Sequence, residues 1–328
     1  MITEFLVTAG ETRKRLDQFL VHREREMSRS ALQRLIELGR IRVNARVVKP
    51  SHNIKPGDRI TMDTPKPGPL VVDGETVSLE VLYEDEALVV INKPAGVVVH
   101  PTSGNWAGTL LNALLAYFQD AKTESAPHAG ILRPGFVHRL DKETSGVMVI
   151  AKTAESHRVL AKQFERHTLT RTYEALVWGG LPENSGIIDV PIGRDRQHPK
   201  QRSSNSDEVK PAVTEFQVLQ SFGKMAVYVR LRPHTGRTHQ LRAHLASLGC
   251  PILGDKTYGD QKVCRVKEID IPRVMLHART LGFQHPLSGE YEEHSSELPA
   301  DMQRVLDAFL IDQHSIERFL PNHTLKKH

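Results

Sequence analysis

The centre of the chain has the sequence Phe136-Val137-His138-Arg139-Leu140-Asp141-Lys142-Glu143-Thr144-Ser145-Gly146 and continues into the apolar run Val147-Met148-Val149-Ile150-Ala151. A short apolar run beside a glycine predicts a buried strand. Charged side chains crowd the entrance to this strand, and such side chains are rarely buried without a partner. Asp141 therefore needs a partner. The local pattern leaves two explanations open: Asp141 is a catalytic carboxylate, or it is a strand-end residue in a turn that Gly146 closes.

A resemblance to a known family favours the catalytic explanation. Residues 138–146 resemble the signature of the RluA/RluD-type pseudouridine synthases, in which the aspartate is catalytic. A nine-residue match so rich in polar side chains is far more specific than a lone glycine motif. Similar segments follow the family order and extend the resemblance over roughly residues 13–310; they lie at residues 83–86, 92–96, 99–101, 172–175, 210–214, 235–242, 276–278 and 285–289.

The order of predicted elements indicates the fold class and four segments. Strands that cluster and alternate irregularly with helices predict an α+β protein with a mixed, mainly antiparallel central sheet. The resemblance implies that this sheet is the pseudouridine-synthase catalytic fold. We expect a small N-terminal unit at 13–62, a Pro-rich linker at 63–78, the catalytic domain at 79–300, and a closing helix and tail at 301–328.

The resemblance also implies roles for three residues. Pseudouridine formation breaks the bond from ribose to uracil N1, turns the base and joins its C5 to the sugar. Asp141 would act at the ribose, either by attacking the sugar carbon or by removing a proton from the neighbouring carbon. Arg237 would pair with Asp141 through its guanidinium, which suits a carboxylate. Tyr173 would stack on the uracil and offer its hydroxyl as a polar or basic group.

Structural explanations remain open for the two partners of Asp141. Arg237 could make a purely structural ion pair or contact a phosphate. Tyr173 could be a core strand residue whose hydroxyl lies at the edge. Two further residues have roles that the resemblance implies: Arg139 would fill or hold the space that an extruded uridine vacates, and Leu276 would form an apolar wall of the pocket. The reaction needs no redox step or group carrier, so we expect no cofactor.

The N-terminal unit is strongly basic. Between Arg13 and Lys49 there are eleven Lys and Arg residues against four acids, whereas the whole chain carries a net charge of +5. This asymmetry favours nucleic-acid binding over an ordinary solvated surface. Two predicted helices followed by short strands resemble the RNA-binding domain named after ribosomal protein S4. The predicted RNA contacts are Arg29, Arg34, Arg42 and Arg46, which would bind phosphates with little sequence discrimination.

The composition of the chain bears on its location and on metal binding. No stretch approaches the length of an apolar membrane span, and we see no secretory signal. Two cysteines with no metal spacing suggest a reduced, cytoplasmic compartment. His234, His239 and His244 recur every five residues, which does not align ligands on one helix face, so we expect no metal. A monomer is the family default.

Three functional hypotheses differ in class. The first is an RNA uridine isomerase that acts on large-subunit ribosomal RNA, with a pre-50S particle as a possible partner; transfer RNA or other ribosomal sites are the alternative targets. The second is a non-catalytic RNA-binding assembly factor, which could have lost Asp141, Tyr173 or Arg237, whereas all three are present. The third, a metal-independent hydrolase, lacks a convincing second carboxylate or a Ser/His/Asp arrangement.

Overall fold

The fold is known from a computed structural model. It describes residues 2–8, 10, 14–24, 29–63, 78–100, 108–120, 135–198, 200–266 and 268–319, without the side chains of 2, 22, 29–31, 34, 119, 120 and 312–319. The predicted linker lies outside these residues except at its ends, and so does the predicted tail beyond residue 319. The chain divides into two compact units, whose described parts are residues 2–63 and 78–319.

The first unit is a four-stranded antiparallel sheet, in the order β1-β4-β2-β3, with two helices. Leu16, Leu20, Leu32 and Ile36 from the helices are fully buried with apolar strand residues in one core. The first strand precedes residue 13, where the sequence predicted that the unit begins. The elements are β1 (Ile2–Leu6), α1 (Leu16–Arg23), α2 (Arg29–Glu37), β2 (Ile41–Val43), β3 (Arg46–Val47) and β4 (Arg59–Asp63).

The second unit contains a large sheet, two small hairpins and four helices among its described residues. Its strands are β5 (Glu80–Glu84), β6 (Leu88–Lys93), β7 (Ser145–Ala151), β8 (Thr170–Trp178), β9 (Ser185–Asp189), β10 (Gly193–Arg194), β11 (Arg202–Ser203), β12 (Val213–Phe222), β13 (Ala226–Pro233), β14 (Arg265–Val266), β15 (Ile269–Asp270), β16 (Leu276–Gln284) and β17 (Tyr291–Ser295). Its helices are α3 (Leu110–Asp120), α4 (Ala154–Arg166), α5 (Gln240–Ser247) and α6 (Ala300–Phe319).

The large sheet is mixed but mainly antiparallel. Its described strands follow the order β5-β6-β7-β16-β8-β13-β12-β9, and β17 pairs with β16 beside β7. Within this sheet the pairing of β7 with β16 is parallel and covers two register positions, whereas the other described pairs are antiparallel. The predicted α+β class with a mixed, mainly antiparallel sheet is therefore confirmed.

The predicted strand after Gly146 is confirmed as β7, and all seven of its residues are buried. Met148 and Ile150 pack with the α3 residues Leu110 and Leu114 on one face. Val147 and Val149 pack with Leu160 of α4 on the other face. A strand covered on both faces has a continuous apolar sequence instead of an alternating one, which explains why this run stands out.

Gly146 lies where β7 first meets β16. Its φ of +117° is a conformation that L-residues rarely adopt. An added Cβ would collide with the carbonyl oxygen of Ala278 and would lie 2.7 Å from the amide nitrogen of that residue. The close backbone approach between β7 and β16 therefore requires glycine at this position.

No helix in the described ranges is both long and apolar enough to cross a membrane.

We predict that Gly146→Ala strongly destabilises the second unit, by about 3 kcal/mol or more, because strain and a backbone clash add together. Gly223→Ala is the matched control, since Gly223 also has a positive φ, of +60°, but an added Cβ meets nothing within 4 Å. The control should lose only about 1–2 kcal/mol. Urea unfolding of both variants checks this, and equal losses would contradict the clash.

Candidate active site

The segment that carries Asp141 folds back along β7. Phe136 forms an antiparallel bridge with Ile150, and the Ala151 N–H donates to the Gly135 carbonyl at 2.9 Å. The His138 ring stacks on Phe164, and its Nε2 accepts the Val149 N–H at 3.2 Å. Burial lowers the pKa of His138 to about 3, so the ring is neutral at pH 7 and is able to accept this bond. Asp141 therefore stands at the end of a fixed segment.

Arg242 is the charge partner of Asp141. It lies on α5 with 8% of its surface exposed, and its Nη1 donates to Asp141 Oδ2 at 2.9 Å. Its Nε and Nη2 donate to the two carboxylate oxygens of Asp255 at 2.6 and 2.9 Å. Burial disfavours the guanidinium charge, but the bonds to Asp255 and then to Asp141 outweigh it and raise the pKa of Arg242. This arginine is therefore a permanent positive charge between two carboxylates.

The groups around this ion pair are bonded in turn. Asp255 is fully buried, and its Oδ1 also accepts the backbone N–H of Thr257 at 3.0 Å. The Tyr258 ring lies under the Arg242 guanidinium, 5.2 Å from Cζ to the ring centroid. The Nε2 of His239 is 3.7 Å from Asp141 Oδ2, and burial lowers the pKa of His239. A neutral imidazole beside Asp141 leaves Arg242 as the fixed cation at this carboxylate.

Lys93 anchors the same segment from the end of β6. It is fully buried, and its Nζ donates to the carbonyls of Pro94 at 2.7 Å and Lys142 at 3.2 Å. Burial lowers the pKa of Lys93 to about 7; Arg273 lowers it further, while Asp141 acts in the opposite direction. Because Lys142 follows Asp141 directly, Lys93 fixes the backbone next to the carboxylate.

Arg273 supports the segment after Asp141. Its Nη1 donates to the Glu143 carbonyl at 3.1 Å, and its Nε and Nη2 bind the two oxygens of Asp301 at 2.6 and 2.9 Å. Next to it, the ring of His277 bridges Ser145 and Ser296, with 3.0 Å to each hydroxyl oxygen. Burial lowers the pKa of His277 to about 4, so this histidine serves the structure as a neutral ring.

Tyr173 and Leu276 share one face of the sheet near Asp141. Tyr173 on β8 pairs in register with Ala278 on β16, and Ala278 pairs with Gly146 on β7. Leu276 precedes Ala278 by two residues and pairs with Ala175, so it lies on the same face. Burial raises the pKa of the Tyr173 hydroxyl, and Asp141 adds to this rise while Arg171 opposes it. The hydroxyl therefore keeps its proton at neutral pH.

Comparison with known proteins identifies the family to which the chain belongs. Residues 87–247 match the RNA pseudouridylate synthase family, and residues 14–60 match the S4 domain. An uncharacterized RNA pseudouridine synthase of Bacillus subtilis, YlyB, is 41% identical over 303 residues, covering 92% of this chain and 96% of the relative. The chain belongs to the RNA pseudouridine synthase family.

Other relatives agree with this assignment. Ribosomal large subunit pseudouridine synthase D of Zymomonas mobilis is 40% identical over 303 residues, covering 90% of this chain and 94% of the relative. The solved structure of human RNA pseudouridylate synthase domain containing 4 has a TM-score of 0.57 at 27% identity, and the match covers 70% of this chain and 93% of that one. This pseudouridine synthase is therefore an isomerase, and its S4 domain and catalytic domain together identify RNA as its partner.

One predicted contact of the synthase is wrong. Arg237 does not pair with Asp141; its Nε donates to the Pro211 carbonyl at 3.1 Å, and its backbone N–H donates to Gln240 Oε1 at 3.0 Å. Arg237 lies in the turn before α5, whereas Arg242 lies on the buried surface of the helix itself. The matched segment contains both arginines, and the helix brings the second one to the carboxylate.

The other predicted site residues occupy different surroundings. Arg139 is exposed two residues before Asp141. Arg42 and Arg46 are exposed on β2 and β3, and Arg42 Nε donates to the Gly39 carbonyl at 3.0 Å. Arg29 and Arg34 lie on α2, but their side chains fall outside the described part of the chain. Leu276 is buried. The functions predicted for these residues stay predictions.

Sequence reasoning missed three residues of the site. Arg242 lies in a matched segment, three positions after His239. Side chains three positions apart on a helix are neighbours, so this spacing was a usable signal. Lys93 also stood in a matched segment, but a lysine after an apolar strand gives no sign of full burial. Asp255 had no such signal, because its bond to Arg242 depends on how residues 250–260 fold onto α5.

The described residues contain no group of three or more His, Cys, Asp or Glu side chains that could hold a metal ion.

We predict a pH-dependent stability that Lys93 causes. Lys93 loses its proton near pH 7 in the folded protein but near its ordinary value of 10.5 in the unfolded chain. Between these values the unfolded state binds more protons, so the free energy of unfolding rises with pH, by at most about 1.4 kcal/mol per pH unit. Lys93→Met should remove this rise.

Urea unfolding at several values between pH 7 and 9 checks the prediction. The exposed residue Lys224 provides the control, and Lys224→Met should keep the slope of the unaltered protein. An equal slope in all three proteins would contradict the prediction.

Proposed function

We propose that this synthase converts specific uridines of large-subunit ribosomal RNA to pseudouridine, and that Asp141 is the carboxylate that acts at the ribose. The supporting observation is the unequal surroundings of its two oxygens. Arg242 binds Oδ2, while no hydrogen bond from the described residues reaches Oδ1. The carboxylate is 23% exposed, so a substrate can approach it.

The geometry suits the step that separates base and sugar. As the bond from ribose C1′ to uracil N1 breaks, positive charge develops on the sugar and electrons move to the base. A fixed carboxylate beside the sugar can attack C1′, or it can stabilise the charge and take a proton from C2′. Both routes use the carboxylate of Asp141, and Arg242 donates a hydrogen bond to one of its oxygens at 2.9 Å, which leaves the other oxygen for the substrate.

Tyr173 is proposed to hold the detached uracil. Its ring lies on the sheet face that Leu276 shares, and an aromatic ring can stack on a base. Because burial raises the pKa of its hydroxyl, this group acts first as a hydrogen-bond donor to the uracil. It could accept the proton from C5 only after giving up its own.

Arg139 and Leu276 are proposed to serve base extrusion. A uridine in folded RNA has to leave its stack before a pocket can act on it, at a cost of a few kcal/mol. Arg139 is exposed close to Asp141 in sequence, where its long side chain can occupy the vacated space. Leu276 is buried beside Ala175 and gives the pocket an apolar wall.

The S4 unit and one relative support ribosomal RNA as the target. Exposed Arg42 and Arg46 provide positive charge for phosphates, and Arg29 and Arg34 on α2 are proposed to add to it. The Zymomonas relative is named a ribosomal large subunit enzyme. We extend that target to this chain, together with action on a pre-50S particle, as a monomer, in the cytoplasm and without a cofactor.

Pseudouridine mapping tests the proposal. Ribosomal and transfer RNA are taken from cells with the intact gene and from cells that carry Asp141→Ala. We expect specific uridines of large-subunit ribosomal RNA to lose the modification completely. Among the described residues, the only other carboxylate that pairs with Arg242 is Asp255, and Asp255 is fully buried and cannot replace Asp141 at a substrate. The exposed helix residue Asp307 gives the control variant Asp307→Ala, which should keep every site.

The outcomes separate the parts of the proposal. If the lost sites lie in transfer RNA, the ribosomal target is wrong while the role of Asp141 stands. If Asp141→Ala leaves all sites modified, the catalytic role of Asp141 is wrong.

Tyr173→Phe tests the role of the hydroxyl separately from that of the ring. We expect the turnover rate to fall by about 10²- to 10⁴-fold, the range for loss of a proton-transfer group, while the free energy of unfolding changes by less than about 1 kcal/mol because the ring still packs. Single-turnover assays with saturating enzyme measure the chemical step. An unchanged rate would leave Tyr173 with stacking alone.

A further inference from the structure

Arg242 shares its guanidinium unequally between two carboxylates. Asp255 takes two nitrogens, Nε and Nη2, in a bidentate pair with both of its oxygens. Asp141 receives one bond, from Nη1 to Oδ2. Asp141 therefore receives fewer hydrogen bonds from Arg242 than Asp255 does.

Asp255 is itself held in place by its own contacts. It is fully buried, and its Oδ1 accepts the backbone N–H groups of Thr257 at 3.0 Å and Tyr258 at 3.3 Å. The Tyr258 ring covers the guanidinium, and its hydroxyl accepts the Arg202 N–H at 2.8 Å. The orientation of Arg242 is thus set from the side away from Asp141.

This fixed orientation has a chemical consequence. A guanidinium facing a lone carboxylate prefers two parallel bonds, which would engage both oxygens of Asp141. With Nε and Nη2 occupied, the arginine cannot turn to make this pair. Asp141 then keeps a cation beside it, and Oδ1 stays open toward the ribose.

We propose that Asp255 is a positioning residue of the reaction, which holds Arg242 so that it gives Asp141 one hydrogen bond and is prevented from forming a bidentate pair with it. The inference rests on the proposed catalytic role of Asp141. Asp255 acts only through Arg242 and has no contact with the substrate.

Asp255→Asn is the direct test. The asparagine cannot pair with the guanidinium through two anionic oxygens, so Arg242 turns toward Asp141 and engages both of its oxygens. We expect kcat to fall about 10- to 100-fold with little change in KM for RNA, as when a reacting group is misplaced by about 1 Å. Activity is measured on ribosomal RNA isolated from cells that carry Asp141→Ala.

The pH profile separates positioning from mere support of the fold. A carboxylate with two bonds to Arg242, and without a second anion behind that arginine, is harder to protonate. The acidic limb of kcat should therefore move to lower pH in Asp255→Asn. The other charged or titratable groups that face Asp141 are unchanged in this variant; they are Arg242, His239, Lys93 and Tyr173.

Asp85→Asn is the matched control for loss of a structural carboxylate. Asp85 binds the backbone N–H groups of Ala87 and Leu88 and lies 2.7 Å from His285. Asp85 precedes the first residue of β6, whereas Lys93 is its last residue. The two ends of this strand are about 17 Å apart. The Asp85 variant should lose stability without any shift of the acidic limb.

A double-mutant cycle keeps the test decisive if Asp255→Asn is less stable. Lysine cannot make a bidentate pair, so in an Arg242→Lys background Asp255→Asn should lower kcat by less than about 3-fold, with rates expressed per folded enzyme. Additive losses, or an unmoved acidic limb, would overturn the positioning role. If the Asp141→Ala enzyme remains active, the proposed catalytic role of Asp141 fails instead. That outcome differs from additive losses and from an unmoved acidic limb.

Discussion

Arg242 is a buried cation, and the active site of the synthase is arranged around the need to neutralise it. Removing a guanidinium from water is costly, and in a protein interior only well-oriented carboxylates offset that cost. Asp255 and Asp141 supply them from two sides. Three separate segments therefore have to meet at one point: the segment before β7, helix α5 and the turn at residues 250–260. Because one of the two carboxylates is Asp141, the same ion pairs that stabilise this meeting point also position the proposed catalytic group.

Much of this architecture is encoded locally, and the sequence predicted those parts well. The run from Val147 to Ala151 indicated a buried strand because α3 and α4 cover both of its faces. The polar cluster before it indicated Asp141, and the family resemblance supplied its chemistry. Contacts between side chains that lie far apart in the chain were harder to predict from the sequence. The resemblance implied Arg237 as the partner of Asp141, whereas Arg242 makes this bond. The spacing of a motif does not show which way a side chain points at the start of a helix.

Asp255 illustrates the limit of sequence reasoning more clearly. Its neighbours form a turn rich in small and polar residues, which looks like an ordinary surface loop. In the folded protein Asp255 is fully buried. The arginine that it binds lies thirteen positions earlier in the chain, so the local sequence does not show this contact. Burial of this kind follows from tertiary packing and not from local pattern. The full burial of Lys93 has the same origin, because β6 ends under the carbonyl of Lys142.

The short parallel contact between β7 and β16 has a consequence for the order of synthesis. It joins Gly146 to Ala278, and Arg273 reaches back across 130 positions to the Glu143 carbonyl. Contacts of such large sequence separation form late, and they require both segments to be present. A nascent chain that has left the ribosome only as far as α5 already carries Asp141 and Arg242, but it lacks Asp255 and the strand beside Gly146. The contacts that hold Asp141 and Arg242 in place thus form only after the chain has been synthesised as far as β16, so a chain that stops at α5 carries both residues without this support.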